Sequence, residues 1–260
     1  MSEAVNVSDL FADAFDAGDI SQSTLNVLNA HDLGVDINAA IGVSVDDLGS
    51  GESVFMTLIL DDSSSIDYYS NAQVVRDGYN MVLDALKSAK LRDNILVHCV
   101  SLNAGVLHPF CKLDDAPKLD ATNYMPNGGT PLYGTCLTTL ATVLAKWQDY
   151  TNNGVDARTI TVIITDGAST DSGVAKVATM VHDMVSMENH IIAGMGIDDG
   201  GTDFTEVFKE MGILEKWVLT PGNTEKEVRQ AFGTISSSAV RASQSALSFS
   251  QTNAGGFGGN

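Results

Sequence analysis

The stretch Val54-Phe55-Met56-Thr57-Leu58-Ile59-Leu60-Asp61-Asp62-Ser63-Ser64-Ser65 passes without transition from an apolar run to a cluster of carboxylates and hydroxyls. A short apolar run bounded by turn-forming residues is the pattern of a strand buried on both faces. Val54 to Leu60 is therefore predicted to be a central strand, and Asp61, Ser63 and Ser65 stand at its carboxyl end. Two further stretches repeat this junction: Gly128-Gly129-Thr130-Pro131, where a glycine turn opens a helix, and Thr165-Asp166-Gly167, which ends the β-branched run Arg158 to Thr165. Each places a small oxygen-bearing side chain where an element begins or ends.

Working outward, strand and helix signals alternate from residue 53 onward, as expected for a mostly parallel sheet covered by helices. Val75, Tyr79, Val82, Leu83 and Leu86 fall at helical spacing, as do Cys136, Leu137, Leu140, Val143, Leu144 and Trp147, each set giving a helix with one apolar face. Val174 to Val185 predicts another helix, His190 to Ile197 a strand, Phe204 to Met211 a short helix, and Trp217 to Leu219 a strand. Thr224 with Glu227 reads as a capping box opening a last helix to about Ser236. Ile95 to Leu102 and Val106 to Phe110 flank Asn103-Ala104-Gly105 too closely for a helical crossover, so they predict an antiparallel hairpin at a sheet edge. The fold class is α/β: a doubly wound, Rossmann-like, mostly parallel six-stranded sheet with one antiparallel edge strand and helices on both faces. With strand order 3-2-1-4-5-6, the strands ending at Asp61 and Asp166 are neighbours at the switch point, where ligands collect in such sheets.

Asp61, Ser63, Ser65, Thr130 and Asp166 offer only hard oxygen, which selects magnesium, with manganese or calcium as alternatives, over zinc or copper. Taken singly, each motif has a simpler reading: an Asx or Ser/Thr turn at Asp61 to Ser65, an N-cap at Thr130 followed by proline at the first helical position, a turn at Asp166-Gly167. Their order and strand context together point to a divalent-cation site.

That constellation, D-x-S-x-S at Asp61 to Ser65 with Thr130 and Asp166, resembles the von Willebrand factor A (vWA) domain and its metal-ion-dependent adhesion site over residues 52 to 238. The resemblance implies that Ser63, Ser65 and Thr130 coordinate the metal, and that Asp61 and Asp166 act largely through water or behind the ligands. It implies a non-catalytic protein-interaction module in which an Asp or Glu of a partner completes the coordination, with a last helix that can move. The GGTPL motif is similar to intracellular bacterial members of the tellurium-resistance-associated TerY type and those beside MoxR-type AAA+ ATPases, implying an adaptor or regulator role.

The 260 residues carry 14 basic and 33 acidic side chains, a net charge of -19. Such a field repels phosphate backbones and anionic lipid, so neither nucleic acid nor membrane is expected as a partner. No targeting signal or apolar span is read near Met1 to Leu10 or elsewhere, giving an expected cytoplasmic location. Cys99, Cys111 and Cys136 match no disulfide framework and read as reduced thiols. His98 and Cys99, adjacent on a strand, point to opposite faces and read as ordinary strand residues, not as half of a zinc site with His108 and Cys111.

Residues 1–50 form an acidic, partly helical extension whose stripe Leu10, Phe11, Ala14 and Phe15 could cover a groove of the main domain or reach a partner. Residues 239–260 form a Ser/Gly-rich tail expected to be flexible, with Phe257 read as solvated. Asp198 to Gly201 reads as a loop near the same rim, and Asp62 as a solvated loop residue. The alternatives in function are a metal-assisted phosphoester hydrolase, with Asp62 as a base, and a self-assembling structural subunit. The first lacks a P-loop, a nucleophile elbow and an H-E-x-x-H helix.

Overall fold

The computed structural model describes residues 6–31, 33–45, 52–244 and 255–258. One six-stranded sheet in the order β3-β2-β1-β4-β5-β6 forms the centre. Its strands are β1 (Glu52–Leu60), β2 (Ile95–Ser101), β3 (Gly105–Lys112), β4 (Asp156–Thr165), β5 (His190–Gly196) and β6 (Val218–Leu219). All neighbours pair in parallel except β2 with β3. In β1 every residue from Ser53 onward is buried, because helices cover both faces. At the outer edge, β3 alternates buried and accessible residues and accommodates Pro109, which a central strand would not.

Helices α5 (Ala72–Leu86) and α9 (Glu225–Ser243) pack together on one face, and α6 (Leu132–Asn152), α7 (Val174–Ser186) and the short α8 (Phe204–Glu210) cover the other. The parallel register sets Leu60 beside Ile164, and the Asp61 amide donates to the Ile164 carbonyl at 2.8 Å. Asp61 and Asp166 thereby leave adjacent strands at the same end of the sheet.

Residues 6–45 supply α1 (Val7–Asp16), α2 (Gln22–Asn29) and α3 (Gly34–Ala40). They form a further layer: α1 and α3 pack on α6, and α2 on α7. The stripe Leu10, Phe11 and Ala14 is buried there. Asp183 of α7 anchors the start of α2 by accepting from the Ser21 amide (2.7 Å) and the Thr24 hydroxyl (2.5 Å). This layer corrects the expectation of one apolar face on α6. Thr139, Thr142, Lys146 and Gln148 are buried with the apolar positions, since the helix has protein on both sides. The Lys146 ammonium donates to the Val43 carbonyl and lies 4.7 Å from the Tyr150 ring centre, so its charge is held by oxygen and an aromatic face.

Helix α9 continues past residue 238 to Ser243. Its predicted cap is half formed: the Thr224 hydroxyl accepts from the Glu227 amide at 3.3 Å, but the Glu227 carboxylate accepts from that hydroxyl instead of from the Thr224 amide. Of the tail read as flexible, 245–254 and 259–260 lie outside the described residues, as do 1–5, 32 and 46–51 of the N-terminal extension. Phe257 is not solvated. It packs against Trp217 with ring centres 5.5 Å apart, and Arg241 of α9 donates to the adjacent Gly256 carbonyl at 2.9 Å.

The three cysteines are free thiols. Burial pushes Cys111 up to about 11 and Cys99 and Cys136 higher still, so none is a ready thiolate. His98 stacks near Phe110 at 4.6 Å, while His108 turns to the Tyr79 hydroxyl at 2.6 Å and lies 3.6 Å from Cys111 Sγ; among the described residues no three such side chains gather as metal ligands. Among the described residues, no helix is long and apolar enough to cross a membrane.

Candidate metal centre

The crevice at the carboxyl ends of β1 and β4 is built by hydrogen bonds among the three sequence stretches. Asp61 is fully buried and both its carboxylate oxygens are engaged: Oδ1 accepts from the Ser63 amide at 2.8 Å and Oδ2 from the Thr165 hydroxyl at 2.6 Å. Its carbonyl accepts from the Tyr124 hydroxyl. Burial raises the Asp61 carboxyl above its ordinary range, and the donors from Ser63 and Thr165 offset part of that rise. Asp61 thus fixes the turn that aims Ser63 and Ser65.

From there the oxygens form a chain. Ser63 Oγ lies 2.9 Å from Ser65 Oγ, and Ser65 Oγ donates to Asp166 Oδ1 at 2.6 Å. The other Asp166 oxygen, Oδ2, is buried and has no hydrogen-bond partner. Leaving a buried carboxylate oxygen bare is costly, on the order of 1–3 kcal/mol or more for a charged group. Desolvation, aided by the nearby negative charges of Asp61 and Asp199, pushes Asp166 up to about 6 despite the Ser65 donor. Thr130 arrives from the opposite loop. A Cβ built on Gly167 would stand 3.5 Å from Thr130 Oγ1 and 3.8 Å from Ser65 Oγ, so the two hydroxyls converge over this glycine. All five predicted positions therefore border one crevice.

Two local expectations are corrected. Helix α6 starts at Leu132 with Pro131 at the cap position, and Thr130 does not cap it. That task falls to Asp171, which accepts from the Tyr133 amide at 3.1 Å and the Gly134 amide at 2.7 Å. The Thr130 amide donates to the Thr170 hydroxyl at 3.2 Å and the Thr170 amide to the Thr130 carbonyl at 2.9 Å, which holds the loop in place and leaves the Thr130 hydroxyl for the crevice. Asp62 is buried, not solvated. It accepts from the Asn103 amide (2.7 Å), Asn103 Nδ2 (2.9 Å) and the Ala104 amide (3.0 Å), tying the β2–β3 turn to the site. Gly128 has φ +102°, a conformation that favours glycine, and a side chain there would meet Asn103 Oδ1 at 2.6 Å. Asp198 to Gly201 is a loop closed on its own carboxylates, yet Asp199 is near enough to act on Asp166.

Tyr124, Asn103, Thr165 and Asp171 are positioning residues that the sequence reading did not single out for these tasks. Thr165 alone had a local signal, as the hydroxyl residue preceding Asp166 on a strand. Asp62→Ala is expected to destabilise the fold by about 2–4 kcal/mol in urea denaturation, because it strands three donors around a buried gap.

The donor set fits a small hard cation. Ligands at about 2.1 Å in an octahedron stand about 3.0 Å apart along its edges. The Ser63–Ser65 oxygen separation of 2.9 Å is near that spacing, and the Ser65–Asp166 hydrogen bond of 2.6 Å ties the second serine to the carboxylate behind it. Among the described residues there is no cluster of three or more His, Cys, Asp or Glu that could hold a metal ion, so a cation here would depend on the hydroxyls as well as on the carboxylates.

The strand order, the antiparallel edge and this crevice at the β1/β4 switch point define a fold of the von Willebrand factor A type, a Rossmann-like α/β domain. Solved structures bear this out. The chain is similar to the pilus adhesin SpaC of Lactobacillus rhamnosus GG (13% identity, 75% of this chain and 31% of that one, TM-score 0.58). It is also similar to the vWF domain of the type V pili tip protein Mfa5 of Porphyromonas gingivalis (11%, 76% and 98%, TM-score 0.51). A third is proximal thread matrix protein 1 of the mussel byssus with a zinc-occupied MIDAS motif (18%, 71% and 47%, TM-score 0.50). The chain thus spans about a third of the adhesin's length and about half of the thread protein's. No protein-family model matches the sequence, and the search of curated proteins gives no match.

Proposed function

We propose that this protein is a metal-dependent protein-binding module, in which Ser63, Ser65 and Thr130 hold a divalent cation, backed by Asp61 and Asp166, and an Asp or Glu of a partner supplies a further oxygen. The observation that carries this reading is the bare, buried Asp166 Oδ2 at the end of the Ser63–Ser65–Asp166 chain of oxygens. A bound cation would supply positive charge to an otherwise anionic crevice and an open coordination position for the partner's carboxylate. Asp61 would keep its two protein hydrogen bonds and orient the serines. Three neutral hydroxyls leave the cation short of negative charge, which favours an anionic partner group.

Magnesium is the proposed metal, with manganese and calcium as substitutes, on the hardness of the oxygen donors. The adhesin, pilus-tip and thread-matrix neighbours support an interaction role. The narrower assignment, to a cytoplasmic TerY-like adaptor or regulator of a MoxR-type AAA+ ATPase, rests on the GGTPL motif. The hydrolytic alternative loses its candidate base, since Asp62 is bound to the 103–104 turn.

The test is capture of a protein partner in magnesium, followed by EDTA release, with wild type and Ser63→Ala/Ser65→Ala in parallel. Retention by wild type alone, reversed by EDTA, supports the module. Equal retention in every condition overturns it. A metal-dependent phosphodiesterase or phosphatase turnover lost in Asp61→Ala would replace it with the hydrolase.

A further inference from the structure

Beside Ser65 the crevice carries a feature that cation binding does not use. The short helix α4 (Ser64–Tyr68) runs directly out of the serine turn, and the Tyr69 amide donates to the Ser65 carbonyl at 3.0 Å. Helical geometry places the side chains three and four residues on, Tyr68 and Tyr69, next to Ser65, with Cβ atoms about 5–6 Å away. Tyr68 is 82% exposed and Tyr69 37% exposed, and they are the two exposed aromatic side chains among the described residues. Their rings meet edge to face with centres 5.1 Å apart.

The cation of the proposed site is offset by Asp61 and Asp166, and the other charges near this pair are negative. Asp67 is exposed on the same helix, Asp198 and Asp199 lie on the loop whose charge reaches Asp166, and the whole chain carries -19. Arg76, the first basic residue after the pair in the sequence, is committed to the Tyr124 carbonyl through two nitrogens, at 3.1 and 2.7 Å. An aromatic pair among carboxylates attracts a cation twice over, through the ring faces and through charge complementarity. A second acidic side chain would be repelled there.

We infer that Tyr68 and Tyr69 form a docking platform for a basic side chain of the partner, Arg or Lys, positioned two residues from the acid that reaches the metal. In an extended segment, residues i and i+2 point the same way and lie about 6.6–6.8 Å apart, somewhat more than the step of about 5–6 Å from Ser65 to the tyrosines, so a base two residues from the acid can reach the rings through its long side chain. Arginine suits the platform better than lysine because its planar guanidinium stacks on aromatic faces. This inference rests on the metal-dependent reading of the site and adds what selects the partner.

The experiment is a random-peptide display selection on the full chain in magnesium, with elution by EDTA, for wild type, Tyr68→Ala/Tyr69→Ala and Tyr68→Phe/Tyr69→Phe. Wild type is expected to enrich Asp or Glu with Arg or Lys two positions away. The alanine variant should keep the acid and lose the base, while the phenylalanine variant, which keeps the ring faces, should retain both. A synthetic peptide from the wild-type pool should bind the alanine variant about three- to fivefold more weakly. Thermal melts matching wild type would show that the variants fold. An acid enriched without the base, an apolar residue in the base's place, or the same base preference in the alanine variant overturns the platform. No acid in any EDTA-eluted pool overturns the metal-dependent reading itself, and the two failures are distinct.

Discussion

Asp166→Asn should weaken divalent-cation binding by on the order of 100-fold while leaving the metal-free protein more stable than wild type at pH 7. The two effects have one cause. The carboxyl of Asp166 is pushed up to about 6, above an unfolded value of 3.8, by burial and by the charges of Asp61 and Asp199. A folded-state value above the unfolded one means that the native state binds this proton more tightly. The contribution of Asp166 to the stability of the metal-free wild type therefore falls as pH rises from about 4 to 6 and stays at the lower level at pH 7. An amide of the same shape carries no charge to desolvate, so the variant should recover on the order of 1–2 kcal/mol at pH 7, after allowance for solvent screening. It should also lose the Asp166 share of that pH dependence, keeping the share of Asp61, whose carboxyl burial raises as well.

Adding metal reverses the ranking. At a concentration 100 times its dissociation constant, a ligand specific for the native state adds about 2.7 kcal/mol, and only wild type should gain it. Thermal melts of both proteins at pH 4.5 and 7, with magnesium and with EDTA, give all the required comparisons. A variant less stable than wild type without metal, or one that gains as much from magnesium, would refute the account of the crevice.

Much of this arrangement was legible in the sequence because it depends on local pattern and chain order. The apolar run Val54 to Leu60 ending at Asp61 marks a central strand, and the hairpin at Asn103-Ala104-Gly105 is too short to be anything but antiparallel. Once the crossovers are right-handed helices, the adjacency of β1 and β4 follows, and with it the meeting of Asp61 and Asp166. What escaped depends on contacts between segments with no shared pattern. Thr130-Pro131 carries a strong local cap signal, but Asp171 reaches the α6 amides first, from a loop 40 positions later. Asp62 looks solvated until the turn after β2 brings three donors to it. The all-round burial of α6 depends on α1 and α3, and the partial burial of Phe257 on its contact with Trp217.

Gly78 is another such position, and its substitution is expected to have a large effect of counter-intuitive sign. Glycine inside a helix normally costs about 1 kcal/mol relative to alanine, so Gly78→Ala should stabilise α5 on propensity alone. The structure opposes this. A Cβ at Gly78 would stand 2.2–2.4 Å from three ring carbons of Phe232, the side chain by which α9 packs on α5. Phe232 is fully buried and cannot swing into solvent. The clash must therefore move the helices apart, and overpacking of this kind costs about 1–3 kcal/mol or more, enough to outweigh the propensity gain. Phe232→Ala should cost about 3–5 kcal/mol by opening a cavity. In the double variant the new methyl group meets the vacated ring space, so its cost should fall below the sum of the two single costs by at least about 1 kcal/mol. Chemical denaturation of the four proteins measures that coupling. Additive costs would mean that α5 and α9 do not meet through this glycine. Coupled costs would show that α9 is seated on the helix that begins at Ala72, just beyond Tyr68 and Tyr69, so a shift of that helix would be felt at the rim of the crevice.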